Sequence, residues 1–289
     1  MIFLNSFHIP SKKEDENFFT HSARSRMTVY RTVYPFVLFR DRQMPEEFRF
    51  DDITVFCGDN GSGKSTILNV ISEKLGLSRD TLYNRTDFFE DYLGLCEYKL
   101  SRKLSADSKI ITSDDVFNRV LNIRRINYGI DDRRKVLIDR YIEDNEEGVD
   151  KILHSLDDYD RWKEIHDARH RQNTSQYLRS RLTRNMEERS NGESALSFFV
   201  DSIIDGGLYL LDEPENSLSP QHQLDLKYFL EDCVKRHDCQ FVISTHSPFL
   251  LSLQNALIYD LDSAPVSVKE WDELDCVRVY RDFFAGTTE

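Results

Sequence analysis

Residues Gly58, Asp59, Asn60, Gly61, Ser62, Gly63, Lys64 and Ser65 fit the pattern G-x-x-x-x-G-K-[ST] at every defined position. Glycines let successive backbone N–H groups turn inward onto phosphate oxygens without Cβ clashes. Lys64 is expected to reach β- and γ-phosphates, and Ser65 to offer its hydroxyl to Mg2+. Thr66 follows in the first turn of a helix whose dipole favours an anion at its start. A second group of chemical residues is Asp212-Glu213, delivered by the apolar run Leu208 to Leu211. Asp212 would hold Mg2+, through water, and Glu213 would orient and activate an attacking water as general base. A third is His246, placed just past the apolar run Phe241 to Ser244. A histidine there either hydrogen-bonds a γ-phosphate or the attacking water, or is satisfied by loop carbonyls. Together the three groups imply phosphoryl-transfer chemistry on ATP with Mg2+.

These residues need a common scaffold. The run Ile53 to Cys57 reads as a strand leading into the glycine loop, and Ile67, Leu68, Ile71 and Leu75 mark one face of a helix that Gly76 can end. Further strand candidates are Phe36 to Phe39, Leu208 to Leu211, Phe241 to Ser244 and Leu257 to Tyr259. The later ones are short apolar runs bounded by turns, as in a parallel sheet covered on both faces. Ser219 and Pro220 read as the N-cap and first residue of a helix with Leu226, Phe229, Leu230, Cys233 and Val234 on its apolar face. Ligand sites in such open α/β sheets lie at the carboxyl edge of the strands, where Asp212, Glu213 and His246 all fall. Residues 77–185 are polar and charged, and read as a helical insertion into a core made of 1–76 and 186–289.

Composition sets outer limits. A chain of 289 residues with 39% hydrophobic and 31% charged residues can bury a sizeable core. The net charge of −13 argues against bulk attraction to nucleic acid. The first residues lack the pattern of a signal peptide, and every apolar run is far too short to span a bilayer, so a cytoplasmic protein with no membrane segment is expected. Five scattered cysteines fit reduced thiols. Cys233 and Cys239 flank His237, which is a poor zinc signal. His166 and His170 have i, i+4 spacing but lack a third ligand and read as exposed. Two local basic stretches stand out against the acidic background: 119–140, with Arg119, Arg124, Arg125, Arg133, Arg134, Lys135 and Arg140, and 161–189, where Trp162 and Tyr177 are interleaved. Most such stretches are solvated helix faces. Protein partners or nucleic acid are the two functional uses of this region.

Ser190-x-x-Glu193, ahead of the apolar run Ala195 to Ile204, spells a helix capping box. It gains a second meaning from a resemblance. The asparagine in GDNGSGKST, the acids in LLDEPENSLSP and the STHSP segment resemble the ATP-binding-cassette type of phosphate-loop ATPase. The likeness is to small bacterial AAA-domain ATPases, including those of anti-phage defence systems, and to SMC-like heads and the ATPase half of OLD-family nucleases. It covers residues 30–76 and 186–289 well and 77–185 poorly. It implies an α/β P-loop NTPase of ABC-ATPase head type, a mostly parallel sheet with a helical insertion.

The resemblance also implies that two heads meet head to tail on ATP. Ser190 and Gly192 of one copy would then contact the γ-phosphate of the other, with Glu193 folded back on its own cap. An effector, such as a nuclease, would be a separate protein, because too few residues follow the last strand for a nuclease domain. Two departures are visible. The family glutamine that reads Mg2+ is not evident; Ser113 and Asp114 stand where it would be sought. The loop Ser217-Leu218-Ser219-Pro220 lacks the family aspartate. Tyr34 either stacks on adenine or is an ordinary core or surface tyrosine. Competing readings are a nucleotide-binding subunit of a membrane transporter and an ATP-binding scaffold with little turnover.

Overall fold

The structure is a computed structural model and describes residues 2–22, 33–36, 43–146 and 191–286, without side-chain detail at 140–146, 191 and 192. Two compact units divide the chain. The larger comprises Met1–Phe117 with Asn191–Glu289, and the smaller comprises Asn118–Ser190.

The larger unit is built on a six-stranded sheet in the order β5-β6-β7-β3-β8-β9. Its strands are β3 (Ile53–Cys57), β5 (Lys109–Thr112), β6 (Leu208–Asp212), β7 (Gln240–Thr245), β8 (Leu257–Asp260) and β9 (Ser267–Val268). The first five in spatial order run parallel, and only β9, at the edge, is antiparallel. The α/β class with a mostly parallel sheet, expected from the sequence, is therefore present. Side chains of period two divide between two cores. Phe56, Leu208, Leu210, Val242 and Tyr259 face one cluster, and Val55, Cys57, Tyr209, Leu211, Phe241 and Ile243 face the other. Both faces are dry, which is why these strands read as continuous apolar runs.

After α1 (Lys12–His21), one face is covered by helix α2 (Lys64–Leu75), through Ile67, Leu68 and Ile71. Gly76, with φ 66°, ends it by turning its N–H back to the carbonyls of Ser72 and Glu73. The other face is covered by α5 (Asn191–Ser202) and α6 (Pro220–Arg236), through Ala195, Phe199, Leu226 and Leu230. Ser219 caps α6 by accepting from the His222 N–H, with Pro220 in first place.

A second, antiparallel sheet, β2-β1-β4, is formed by β1 (Leu4–His8), β2 (Glu47–Arg49) and β4 (Glu97–Leu100). Phe48 joins it to the main sheet by edge contacts with Phe56 and Tyr259, centroids 5.3 and 5.1 Å apart. Gln240, fully buried, makes a polar staple. Its Oε1 accepts from the N–H groups of Phe3 and Leu4, and its Nε2 donates to the carbonyls of Leu4 and Asp51, all at 2.8–3.0 Å.

Two expectations change. Residues 77–117 are part of the core unit rather than of an insertion, because they supply β4 and β5 and the short helix α3 (Phe89–Leu95). Phe36 is not in a strand; it stacks on Phe18 at 4.8 Å and meets the Tyr92 ring edge-on at 5.0 Å, while 37–39 lie outside the described residues. Helix α4 (Ser113–Glu146) carries the first basic stretch. There Arg134 pairs with Asp131, and Arg119, Arg124, Arg125, Arg133 and Lys135 are exposed. The second stretch, with His166 and His170, lies outside the described residues.

Candidate functional site

Strand pairing puts the chemical residues along one edge. β7 lies between β3, which ends in the glycine loop, and β6, which ends in the acids. In register, Asp212 pairs with Ser244 and Ser244 with Phe56, so Asp212 is two strands from the loop. Neighbouring strands are about 4.8 Å apart, so long side chains can close such a gap.

The loop itself is shaped for a ligand. Gly61 and Gly63 have φ of 83° and 100°, a region that side chains resist. At Gly58 an added Cβ would stand 2.7 Å from Ser62 Oγ. That Ser62 oxygen is buried and has no hydrogen-bond partner among the described residues. The Asp262 carboxylate accepts from the Asp59 N–H at 2.7 Å, tying the loop to the end of β8. Lys64 is 3% exposed. Its ammonium donates to the carbonyls of Gly58 at 2.7 Å and Asp59 at 3.1 Å, and lies 3.6 Å from Glu213 Oε1.

The acids sit opposite. Asp212 Oδ1 accepts from Ser65 Oγ at 2.9 Å and from Ser244 Oγ. Burial pushes the Asp212 carboxyl above its usual range, and the two serine hydroxyls oppose that shift. Glu213 has φ 47°, a left-handed backbone in which a side chain is strained. The strain is held by its N–H, which donates to Ser244 O at 3.0 Å and Ser244 Oγ at 3.1 Å. Asn216 Nδ2 donates to Glu213 Oε2 at 3.0 Å. Carboxylate, hydroxyl and ammonium groups of this kind suit a hard cation and a triphosphate. Among the described residues there is no separate cluster of three metal-ligating His, Cys, Asp or Glu side chains.

His246 follows β7 directly, with its side chain 47% exposed. Its N–H donates to Glu215 Oε1 at 2.9 Å, and its Nδ1 stands 3.4 Å from the same oxygen. Thr66, in the first turn of α2, accepts from the Tyr34 hydroxyl at 3.0 Å. The Tyr34 ring stacks on Phe89 at 6.2 Å, so the protein itself already engages this tyrosine. Asp59, Asn60, Gly61, Ser62, Gly63, Lys64, Ser65 and Thr66 thus share one neighbourhood with Asp212 and Glu213, and His246 leaves the strand between them.

Ser190 lies outside the described residues. Gly192 and Glu193 fall in the first turn of α5, where Glu193 is exposed. Ser113 and Asp114 open α4; it is Asp115 that turns back, accepting from Thr112 N–H at 2.7 Å. Sequence reasoning missed Ser244, Glu215, Asn216 and Asp262. For Glu215 and Asn216 the signal was available, since both stand in the DEPEN segment. No single-sequence signal marks Ser244 or Asp262, because their roles depend on strand pairing.

Comparison with solved structures finds low-identity likenesses. An Smc head domain with an extended coiled coil from Pyrococcus furiosus is 14% identical, with 84% of this chain and 95% of that chain covered and a TM-score of 0.39. The SMC head domain from Thermotoga maritima is 12% identical, covering 93% and 99%, TM-score 0.39. The ATP-binding cassette MJ0796, bound to ADP and Pi, is 12% identical, covering 80% and 92%, TM-score 0.35. No curated protein matches the chain. No described helix is long and apolar enough to cross a membrane. The family model described as "AAA domain, putative AbiEii toxin, Type IV TA system" matches residues 77–252, which begin after the glycine loop and take in Asp212, Glu213 and His246. That is more than half of the chain, and the chain belongs to this AAA-domain ATPase family.

Proposed function

We propose that this chain binds and hydrolyses ATP with Mg2+, and that ATP serves as a switch joining two copies head to tail. The observation that carries the reading is the meeting of Lys64, Ser65, Asp212 and Glu213 at one sheet edge, with Ser65 and Asp212 already in contact at 2.9 Å. Lys64, released from the Gly58 and Asp59 carbonyls, binds β- and γ-phosphate oxygens. Residues 58–66 wrap the phosphates with backbone N–H groups, and the orphaned Ser62 hydroxyl gains a partner. Ser65 and Asp212 hold Mg2+, which supplies charge neutralisation on the phosphate oxygens when bound. Glu213, oriented by Asn216, takes a proton from the attacking water, and His246 faces the γ-phosphate.

In the dimer, Ser190 and Gly192 of one copy complete the phosphate shell of the other, and Glu193 caps its own helix. Two triphosphates then bridge two surfaces, and hydrolysis removes the bridge. The switch controls a separate effector protein, such as a nuclease, in the cytoplasm, with the basic insertion as a contact surface for it or for nucleic acid. The family description names a type IV toxin–antitoxin system, which supports a setting in defence or growth control. The test is solution mass by light scattering with and without Mg-ATP, beside phosphate release. Wild type should release phosphate. Glu213→Gln should not, and should double in mass only with Mg-ATP, an effect that Ser190→Arg abolishes. A mass indifferent to ATP in both proteins would sink the dimer switch.

A further inference from the structure

We propose that Glu215 is the positioning residue for His246: it holds the Nδ1–H tautomer and turns Nε2 toward the γ-phosphate site. The proposal rests on the reading of His246 as a phosphate-site residue.

Glu215 is 6% exposed, although it is an acid and stands in a short 3-10 turn. A carboxylate in such a place is costly unless donors surround it. One oxygen, Oε1, gathers two donors and faces the imidazole. It accepts from Thr245 Oγ1 at 2.6 Å and from the His246 N–H at 2.9 Å, and it faces His246 Nδ1 at 3.4 Å. Oε2 is buried and has no hydrogen-bond partner among the described residues. A fold that needed only to pin this turn could do so with a neutral amide, without burying a charge. What a carboxylate adds is selection of the proton position. An ionised carboxylate oxygen only accepts, so an imidazole nitrogen that bonds to it must carry hydrogen. In a neutral ring this leaves Nε2 bare, and in a charged ring it leaves Nε2–H as the one donor free of Glu215.

The contact is also well placed to act on position. Thr245 is the last residue of β7, and its hydroxyl and the next N–H are both held by Glu215. Glu215 in turn sits in the short 3-10 turn Pro214–Ser217 that follows Glu213. The backbone carrying the general base is thus tied to the backbone carrying the histidine. Glu215 acts through His246.

The experiment has two arms. Long-range 1H–15N NMR on histidine-labelled protein, at a pH where the ring is neutral, should show His246 protonated at Nδ1. Glu215→Ala should shift it toward the Nε2–H form, and Glu215→Gln, whose amide can accept or donate, should give a mixture of the two tautomers. A wild-type ring protonated at Nε2, or a tautomer unmoved by Glu215→Ala, overturns the proposal. In the second arm, Glu215→Ala should lower kcat roughly 10- to 100-fold with little change in KM. It should cause no further loss when His246 is already alanine, because both changes remove one function. Additive losses would mean that Glu215 acts on its own or through the fold, and would overturn the proposal. A protein that hydrolyses no ATP defeats the functional reading, whereas the tautomer measurement still decides the positioning.

Discussion

The Lys64 ammonium stands 3.6 Å from the Glu213 carboxylate, with the lysine almost wholly buried and two loop carbonyls as its other partners. The cation of the glycine loop and the carboxylate that follows β6 are therefore already an electrostatic pair. Their separate roles should come apart on substitution. Lys64→Met removes charge-assisted bonds to phosphate, each about 1.5–3 kcal/mol, so Mg-ATP binding should weaken roughly 10- to 150-fold by calorimetry. Glu213→Gln should leave binding intact or tighter and slow phosphate release roughly 10²- to 10⁴-fold in single-turnover assays.

Asp212→Asn tests the cation site. The asparagine oxygen can still accept from Ser65 and Ser244, so the fold should be retained. The charge is lost, and Mg2+ is held chiefly by anionic oxygen. ATP affinity of the variant should no longer respond to Mg2+ titration, and hydrolysis should fall with it. A variant that keeps full magnesium dependence would remove Asp212 from the site.

Gln240→Leu tests the staple between the sheets. The substitution keeps bulk but leaves the Phe3 and Leu4 N–H groups and the Leu4 and Asp51 carbonyls unsatisfied. At about 1–3 kcal/mol for each buried group left without a partner, the loss should exceed roughly 3 kcal/mol. Denaturant unfolding measures the loss, and hydrogen exchange should show β1 amides opening first.

Cys276 should be the reactive thiol. The five cysteines are free, and Cys276 is the one that is not fully buried. Its Sγ lies 3.6 Å from Cys57 Sγ. A hydrogen bond from the Cys57 thiol lowers the Cys276 pKa, while the same contact and burial push Cys57 up. Brief iodoacetamide treatment near neutral pH should add one group by intact mass, and Cys276→Ser should abolish it.

Much of the site was legible because its chemistry is local in sequence. The glycine loop, the helix face of Ile67, Leu68 and Ile71, the acids after Leu211 and the Ser219 cap each lie within a few residues. What stayed hidden depends on contacts across long separations. Ser244 meets Asp212 across 32 residues and Gln240 meets Leu4 across 236, and one sequence carries no pairing information at that range. The junction after residue 76 was misplaced for a different reason. β4 is largely exposed, so its polar residues read as part of a charged insertion. The Phe36 segment suggested a strand by its apolar content, but Phe36 packs into an aromatic cluster with Phe18, Phe19 and Tyr92 instead. Glu215 was in plain view, and only its burial gives it meaning.

β7 is a string pinned at both ends. Its first residue, Gln240, grips the backbone of β1, and its last, Thr245, is gripped by Glu215. A strand of six residues is roughly 20 Å long and stretches very little. With no slack to take up, a tug on the amino-terminal sheet is felt at His246 as displacement rather than lost as slippage.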